Sequence, residues 1–339
     1  MASVTLKDLA AELGLSITTV SRALAGYGDV AESTRLRVAH AAEEMGYVPD
    51  ATARRLQKGC TDTIGFVIPT SGPRFSDPFF SELLAGIGNE AARHSFDLLV
   101  STCPPDTPEE DAAYRHKAGG RLVDGLLVVR TRVRDRRIEY LSRIGFPFVV
   151  FGRSDLDVDF PFVDEDGNRG LELVTQHLID LGHKRFACIV PPPDLMFSVY
   201  RRTGLKAALE RNDISMKDEY CSTADLTQRG GFSAMNELLA LTPPPTAIIA
   251  CNDLMALGAI SAAQKKGLIV GRDIAVTGFD DIPLAEHSHP TLTTVRQPIY
   301  EIGRQCCEML IRLIRGEELA ERHVLLQPEL IVRESSGAG

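Results

Sequence analysis

The chain has 339 residues, a formal charge of −9, 44% apolar and 24% charged residues, and no tryptophan. That length suits two or three domains of roughly 100 to 200 residues each, and the composition excludes a disulfide-stapled miniprotein, a fibrous chain and a disordered one. No stretch reaches the roughly 18 uninterrupted apolar residues of a membrane helix, and Met1 to Ala10 lack a basic run followed by an apolar core, so a cytoplasmic protein without membrane contact is expected.

The seven cysteines, Cys60, Cys103, Cys188, Cys221, Cys251, Cys306 and Cys307, are odd in number, scattered and without a Cys-x-x-Cys pair, so reduced, mostly structural thiols are expected. Adjacent Cys306 and Cys307 diverge by about 100° on a helix, which suits packing better than one metal site. No cofactor and no metal are expected. Charge is uneven along the chain. Residues 1–60 carry seven Lys/Arg and seven Asp/Glu, so the remainder supplies the whole −9. Within the neutral head, Ala51 to Cys60 holds Arg54, Arg55 and Lys58 and no acid, a candidate anion-binding surface.

Thr5-Leu6-Lys7-Asp8 has the form of a helix capping box, and Leu6, Leu9, Ala10 and Leu13 follow at helical spacing. The first helix should end before Gly14, with Ser16 capping a second that runs through Leu24. This is helix-turn-helix spacing. The second helix buries Val20, Ala23 and Leu24 and turns Ile17, Thr18, Ser21 and Arg22 outward. A third helix, capped by Ser33, should carry Leu36, Val38, Ala39, Ala42 and Met45 and stop at Gly46. Ala51 to Gly59 is a short basic helical stretch too small to fold alone. On pattern alone the helix pair is open to a purely structural reading.

The run from Val4-Thr5-Leu6-Lys7-Asp8-Leu9-Ala10 through Ser16-Ile17-Thr18-Thr19-Val20-Ser21-Arg22-Ala23-Leu24, together with the basic hinge, resembles the lactose/galactose repressor (LacI/GalR) family of bacterial transcription regulators. The resemblance implies a recognition helix in the major groove of double-stranded operator DNA, with Ile17, Thr18 and Arg22 at base edges. Chemistry agrees, because arginine can donate two parallel hydrogen bonds to guanine and isoleucine can pack on a thymine methyl. Thr5, Ser16, Thr19 and Ser21 can bind phosphates and set the register. Ala53 and Arg54 belong to the hinge contact, and Leu56 matches the family's leucine that wedges into the minor groove where two hinge helices pair. Asp50 stands where the family often carries asparagine, and an acid there would repel phosphates.

From Thr61 onward, strand-sized apolar runs cover 64–69, 96–102, 125–130, 147–152, 185–190, 246–252 and 274–280. They alternate with helical spacing over 79–92, 171–181, 203–211 and 254–266, which predicts a parallel, doubly wound α/β sheet. The resemblance extends here through Asp77-Pro78-Phe79-Phe80-Ser81, Leu181-Gly182-His183, Asn252-Asp253-Leu254-Met255-Ala256 and Gly278-Phe279-Asp280-Asp281. It implies a two-lobed body like periplasmic binding proteins, with Rossmann-like sheets around a cleft. The expected division is a head over 1–47, a hinge over 48–60 and a body over 61–339. Lobe one should take 61–160 and 292–322, and lobe two 161–291 and 323–335.

Ligands of open α/β sheets bind beyond the carboxyl ends of strands. By family position Asp77, Phe80, Arg201, Asn252, Asp280 and Gln297 should line the cleft, and Arg130 and Arg153 join them because they close strands. Carboxylate, amide and guanidinium groups match sugar hydroxyls, and a ring such as Phe80 can stack on a pyranose. Phe79 is expected in the core and Asp253 as a helix cap. Leu226 falls where some relatives carry an aromatic wall. The rival readings are an enzyme using Asp280 and Asp281, and a solute-binding protein. No nucleophile–base motif, phosphate loop or nucleophile elbow supports the first; His287-Ser288-His289 is a weak metal signal; and the second would need an export signal and no helix-turn-helix. The expected protein is a nucleoid-associated homodimeric repressor of a carbohydrate-use operon, released or tuned by a sugar or sugar derivative, with no catalytic residues. The run from Asp77 to Arg153 looks most like rhizobial α-glucoside repressors, and the end shortly after Ser336, without a further heptad helix, suits a dimer.

Overall fold

A computed structural model describes residues 4–47, 59–70 and 77–338. The chain divides into two compact units, Met1–Thr61 and Asp62–Gly339. The hinge residues Asp50, Ala53, Arg54 and Leu56 lie outside the described residues. Among those described, no helix is long and apolar enough to cross a membrane.

The first unit holds α1 (Leu6–Leu13), α2 (Ile17–Leu24) and α3 (Glu32–Met45). Thr5 and Asp8 form the expected reciprocal capping box, Gly14 ends α1 at φ 64°, and Ser16 caps α2 by accepting from the Thr19 amide. Leu9, Ala10, Val20, Ala23, Val30, Val38, Ala41 and Ala42 make the shared core. One expectation fails. Helix α3 begins at Glu32 with Ala31 as an N-cap that makes no side-chain bond, which puts Ser33 inside the first turn. Leu36 is 67% exposed, because the inward face runs through Val38, Ala41 and Ala42.

The second unit contains two parallel sheets. In the first lobe, β1 (Thr63–Pro69), β2 (Asp97–Cys103), β3 (Gly125–Val128), β4 (Phe148–Phe151), β5 (Phe162–Glu165) and a late strand β11 (His323–Leu326) stand in the order β11-β5-β4-β3-β1-β2. Helices α4 (Pro78–Arg93), α5 (Pro108–Gly119), α6 (Arg136–Arg143) and the late α12 (Ile299–Ile314) belong to this lobe. In the second, β6 (Phe186–Val190), β7 (Cys221–Thr223), β8 (Ala247–Ala250) and β9 (Ala275–Thr277) stand in the order β7-β6-β8-β9. Its helices are α7 (Gly167–Asp180), α8 (Met196–Arg211), α9 (Gln228–Leu238), α10 (Asp253–Lys265) and α11 (Pro283–His287). A small antiparallel pair, β10 (Thr294–Arg296) with β12 (Glu329–Ile331), stands beside it.

These pairings move the lobe boundaries. Phe162–Glu165 and His323–Leu326 pair with each other inside the first lobe's sheet, although the sequence reading assigned both to lobe two. Leu292 and Val295, assigned to lobe one, are buried in the second lobe's core, and the Gly278 amide donates to Thr293 O at 2.9 Å. The apolar signal failed because β5 ends in two acids and β11 is a partly exposed edge strand.

Helices α9 and α10 cross without room for side chains between them. A Cβ on Gly258 would stand 2.0 Å from Gln228 O, and one on Gly231 would stand 2.1 Å from Met255 O. Both obstacles are backbone atoms that cannot swing aside. Gly258→Ala gains up to about 1 kcal/mol of helix propensity and loses more to overpacking, which typically costs about 1–3 kcal/mol. Its urea midpoint should fall; an unchanged or raised midpoint would show that the crossing is loose.

Candidate DNA-reading face and interlobe cavity

In the head, Ile17 is 48% exposed although apolar, and Thr18 and Arg22 share its solvent-facing side of α2. Arg22 is already engaged, because its guanidinium pairs with Asp29 at 2.5 Å and lies 4.8 Å from the centre of the Tyr27 ring. An exposed ion pair of this kind contributes little stability, so it holds the arginine in place and can be exchanged for a better partner. Asp29 and Tyr27 follow the end of α2, where no periodicity marks them. Thr5, Ser16 and Thr19 carry local work. Thr5 Oγ1 donates to Asp8 Oδ2 at 2.7 Å, and the Ser16 and Thr19 hydroxyls lie 2.8 Å apart. Ser21 is half-buried.

In the body, all eight residues proposed for ligand contact, Asp77, Phe80, Arg130, Arg153, Arg201, Asn252, Asp280 and Gln297, line one cavity between the lobes. Seven sit within a turn of a strand or helix end, and Arg201 projects from the interior of α8. Asp77 caps α4 by accepting from the Phe79 amide, Arg130 and Arg153 follow β3 and β4, and Asn252 and Asp280 follow β8 and β9. Asn252, not Asp253, is the N-cap of α10: its Oδ1 accepts from the Met255 amide at 2.9 Å and its Nδ2 donates to Leu226 O at 3.1 Å. Asp253 is instead fully buried behind the cavity, accepting from the Ile282 amide and the Thr294 hydroxyl, and burial pushes its carboxyl up to about 7.

Every cavity arginine has a carboxylate partner. Arg130 Nη2 reaches Asp77 Oδ2 at 3.2 Å, Arg153 Nε reaches Asp164 Oδ2 at 2.6 Å, and Arg201 Nη2 reaches Glu165 Oε1 at 3.0 Å with Asp280 Oδ1 at 3.7 Å. Arg201 Nη1 also donates to Cys251 O, and the guanidinium lies 3.6 Å from the centre of the Phe279 ring. Gln297 Nε2 donates to Asp280 Oδ1 at 2.6 Å. Burial raises the Asp77 carboxyl above its ordinary range and raises Asp164 and Asp280 well above it, the arginines opposing the shift. Arg201 Nε and Gln297 Oε1 are buried polar atoms without a hydrogen-bond partner among the described residues. Such groups accept a polyhydroxylated guest at little cost.

The aromatic wall differs from the sequence expectation. Phe80 is 1% exposed and Arg130 stands 5.0 Å over its ring, so its accessible face is taken. Phe79, expected in the core, lines the cavity and stacks on Phe151 at 5.8 Å. Sequence reasoning also missed Asp164, Glu165 and Phe197, which line the same cavity. Recognising 162–165 as a strand would have placed both acids at its carboxyl end.

The lobes are also joined by backbone. The Val133 amide donates to Asp194 O at 2.8 Å and the Met196 amide to Thr131 O at 2.9 Å, across the mouth of the cleft. The cavity they enclose has a volume of about 70 Å³. Small-molecule sites ordinarily occupy about 300–1,000 Å³, so a guest of that size enters only as these contacts part.

The family profile described as "Bacterial regulatory proteins, lacI family" matches residues 5–50, and that described as "Periplasmic binding protein-like domain" matches 175–336. The HTH-type transcriptional regulator AglR of Rhizobium meliloti (strain 1021) is 38% identical over 98% of this chain and 94% of its own. The HTH-type transcriptional repressor CytR of Escherichia coli (strain K12) is 35% identical over 99% and 97%. Among solved structures, a transcriptional regulator CelR–cellobiose complex aligns with a TM-score of 0.76 at 33% identity over 98% of this chain and 99% of that one. A lac repressor dimer bound to operator and the anti-inducer ONPF aligns with a TM-score of 0.87 at 27% identity over 99% and 100%. With a helix-turn-helix head, a two-lobed body and relatives matched end to end, the chain belongs to the LacI family of bacterial regulatory proteins.

Proposed function

We propose that this LacI-family regulator is a dimeric operator-binding repressor of a carbohydrate-use operon, acting in the cytoplasm and tuned by a neutral sugar in the interlobe cavity. Its chemistry is binding rather than catalysis. The convergence of these eight residues on one polar cavity carries this reading. Four carboxylates, Asp77, Asp164, Glu165 and Asp280, face three guanidinium groups, Arg130, Arg153 and Arg201, each already paired. That balance offers acceptors to hydroxyl donors and, among the described residues, no uncommitted cation to a phosphate. Phe79 and Phe151 supply an apolar wall for a pyranose face. Cellobiose in the CelR complex is a sugar of this kind, and neutral.

On DNA, Ile17, Thr18 and Arg22 read bases while Thr5, Ser16, Thr19 and Ser21 set register, and the hinge residues Ala53, Arg54 and Leu56 engage the operator centre. Two heads read an inverted repeat, which footprinting on genomic fragments should reveal; protection of one unrepeated half-site would contradict the dimer. Arg22→Ala should cost about 1–3 kcal/mol at one base pair per half-site. Equal loss on all sequences would make Arg22 a phosphate contact instead.

A thermal-shift screen of neutral sugars and sugar phosphates identifies the effector, since a ligand at 100 times its Kd stabilises by about 2.7 kcal/mol. Neutral sugars should give the shifts. Asp280→Asn should weaken the hit by about 10-fold or more, because a hydrogen bond to a charged group contributes about 1.5–3 kcal/mol. Operator affinity without sugar should stay at the wild-type value. Calorimetry showing unchanged sugar affinity would return Asp280 to a purely structural role.

A further inference from the structure

Scattered along the sequence, two cysteines meet in the fold. Cys188 lies in β6 and Cys221 opens β7, and the two are register partners on adjacent parallel strands. Strand spacing of about 4.8 Å puts their Cα atoms within the roughly 4.4–6.8 Å that a disulfide spans, with both side chains on one face of the sheet. Both cysteines line a surface groove of about 610 Å³ beside α8, where Arg202 and Lys206 also stand. Cys188 is 1% exposed and Cys221 half-buried, so one sulfur is reachable from the groove and the other is sheltered next to it.

Their reactivities diverge in the same sense. A hydrogen bond from Cys188 holds the Cys221 thiol below its ordinary range, with the Arg202 charge adding to the effect and burial opposing it. That bond, with burial, pushes Cys188 well up. Burial pushes up Cys103, Cys251, Cys306 and Cys307 as well. A reachable thiolate beside a cation and a second thiol is the setting in which cysteines oxidise reversibly.

We propose that Cys188 and Cys221 form a peroxide-oxidisable dithiol, with Cys221 as the attacking sulfur and Cys188 as the resolving one. The Cys221 thiolate attacks one oxygen of hydrogen peroxide; the O–O bond breaks, and the departing hydroxide takes a proton and leaves as water, giving a sulfenic acid. Cys188 sulfur then attacks the sulfenic sulfur, the S–OH bond breaks, and hydroxide leaves with the Cys188 proton as a second water. The thiols lose two electrons and the peroxide gains them. Closing the bond ties β7 covalently to β6. This edge strand has only three residues and leads directly to Leu226 on the cavity wall. A disulfide reachable from the groove is readily reduced, as a reversible switch needs.

The test treats the full chain with hydrogen peroxide, blocks remaining thiols, and digests without reductant for mass spectrometry. The protein should lose two of its seven thiols, yield a Cys188–Cys221 linked peptide, and regain both thiols with dithiothreitol. Cys221→Ser should abolish the loss, and Cys188→Ala should leave a sulfenic acid on Cys221 that dimedone traps. Because Cys188 is buried, Cys188→Ala is used only if its circular dichroism matches wild type; Cys221→Ser carries the test independently. Amide exchange over 221–226 should differ between reduced and oxidised protein. Thiol loss at an undiminished rate in Cys221→Ser, or a linkage between other cysteines, would overturn the dithiol; identical exchange would overturn the restraint of β7 by the bond.

Discussion

The body depends on one buried cation. Arg201 leaves α8 in the second lobe, lies over Phe279, and places its guanidinium between Glu165 of the first lobe and Asp280 of the second. Removing these charges from water costs several kcal/mol per ion, and only close pairing offsets that cost. The lobes are therefore joined at the centre by an interaction that is satisfied in the closed arrangement yet leaves Arg201 Nε without a partner. Around it the other polar contacts fall into place. Gln297, at the strand-to-helix crossover, donates to Asp280, and the Arg153–Asp164 pair flanks Glu165.

A joint of this type is suited to switching. Hydroxyl groups can replace the protein's own partners one for one, so a guest shifts the balance between arrangements without leaving a bare charge. The backbone bonds at Thr131–Met196 and Val133–Asp194 make the same point at the cleft's mouth, since they are few, local and remade easily. Arg22 is held in a parallel way in the head, by an exposed pair with Asp29 that a stronger bidentate acceptor can replace.

Much of this was legible in the sequence because its signals were local. Thr5-x-x-Asp8, Gly14 and Ser16 determine the head's first two helices through bonds between near neighbours, and Asn252 and Asp280 are visible as polar residues closing apolar runs. What could not be read depends on contacts between distant segments. Strand β5 carries acids because it ends in the cavity, and β11 is identifiable only by its pairing with β5. That Arg130 covers the Phe80 ring while Phe79 lines the cavity beside it was hidden, because it turns on a residue far along the chain. The register of Cys188 and Cys221 is hidden for the same reason.

The central claim is that the cavity and the DNA-reading face report to one another. Linkage requires that a sugar change operator affinity by the same factor by which operator changes sugar affinity. The direct measurement takes the thermal-shift hit and the footprinted inverted repeat, and determines each affinity with and without the other partner, at one salt concentration. The account predicts equal factors well away from one. A factor of one in both directions, with both partners binding, would show two independent sites on one chain and contradict the account.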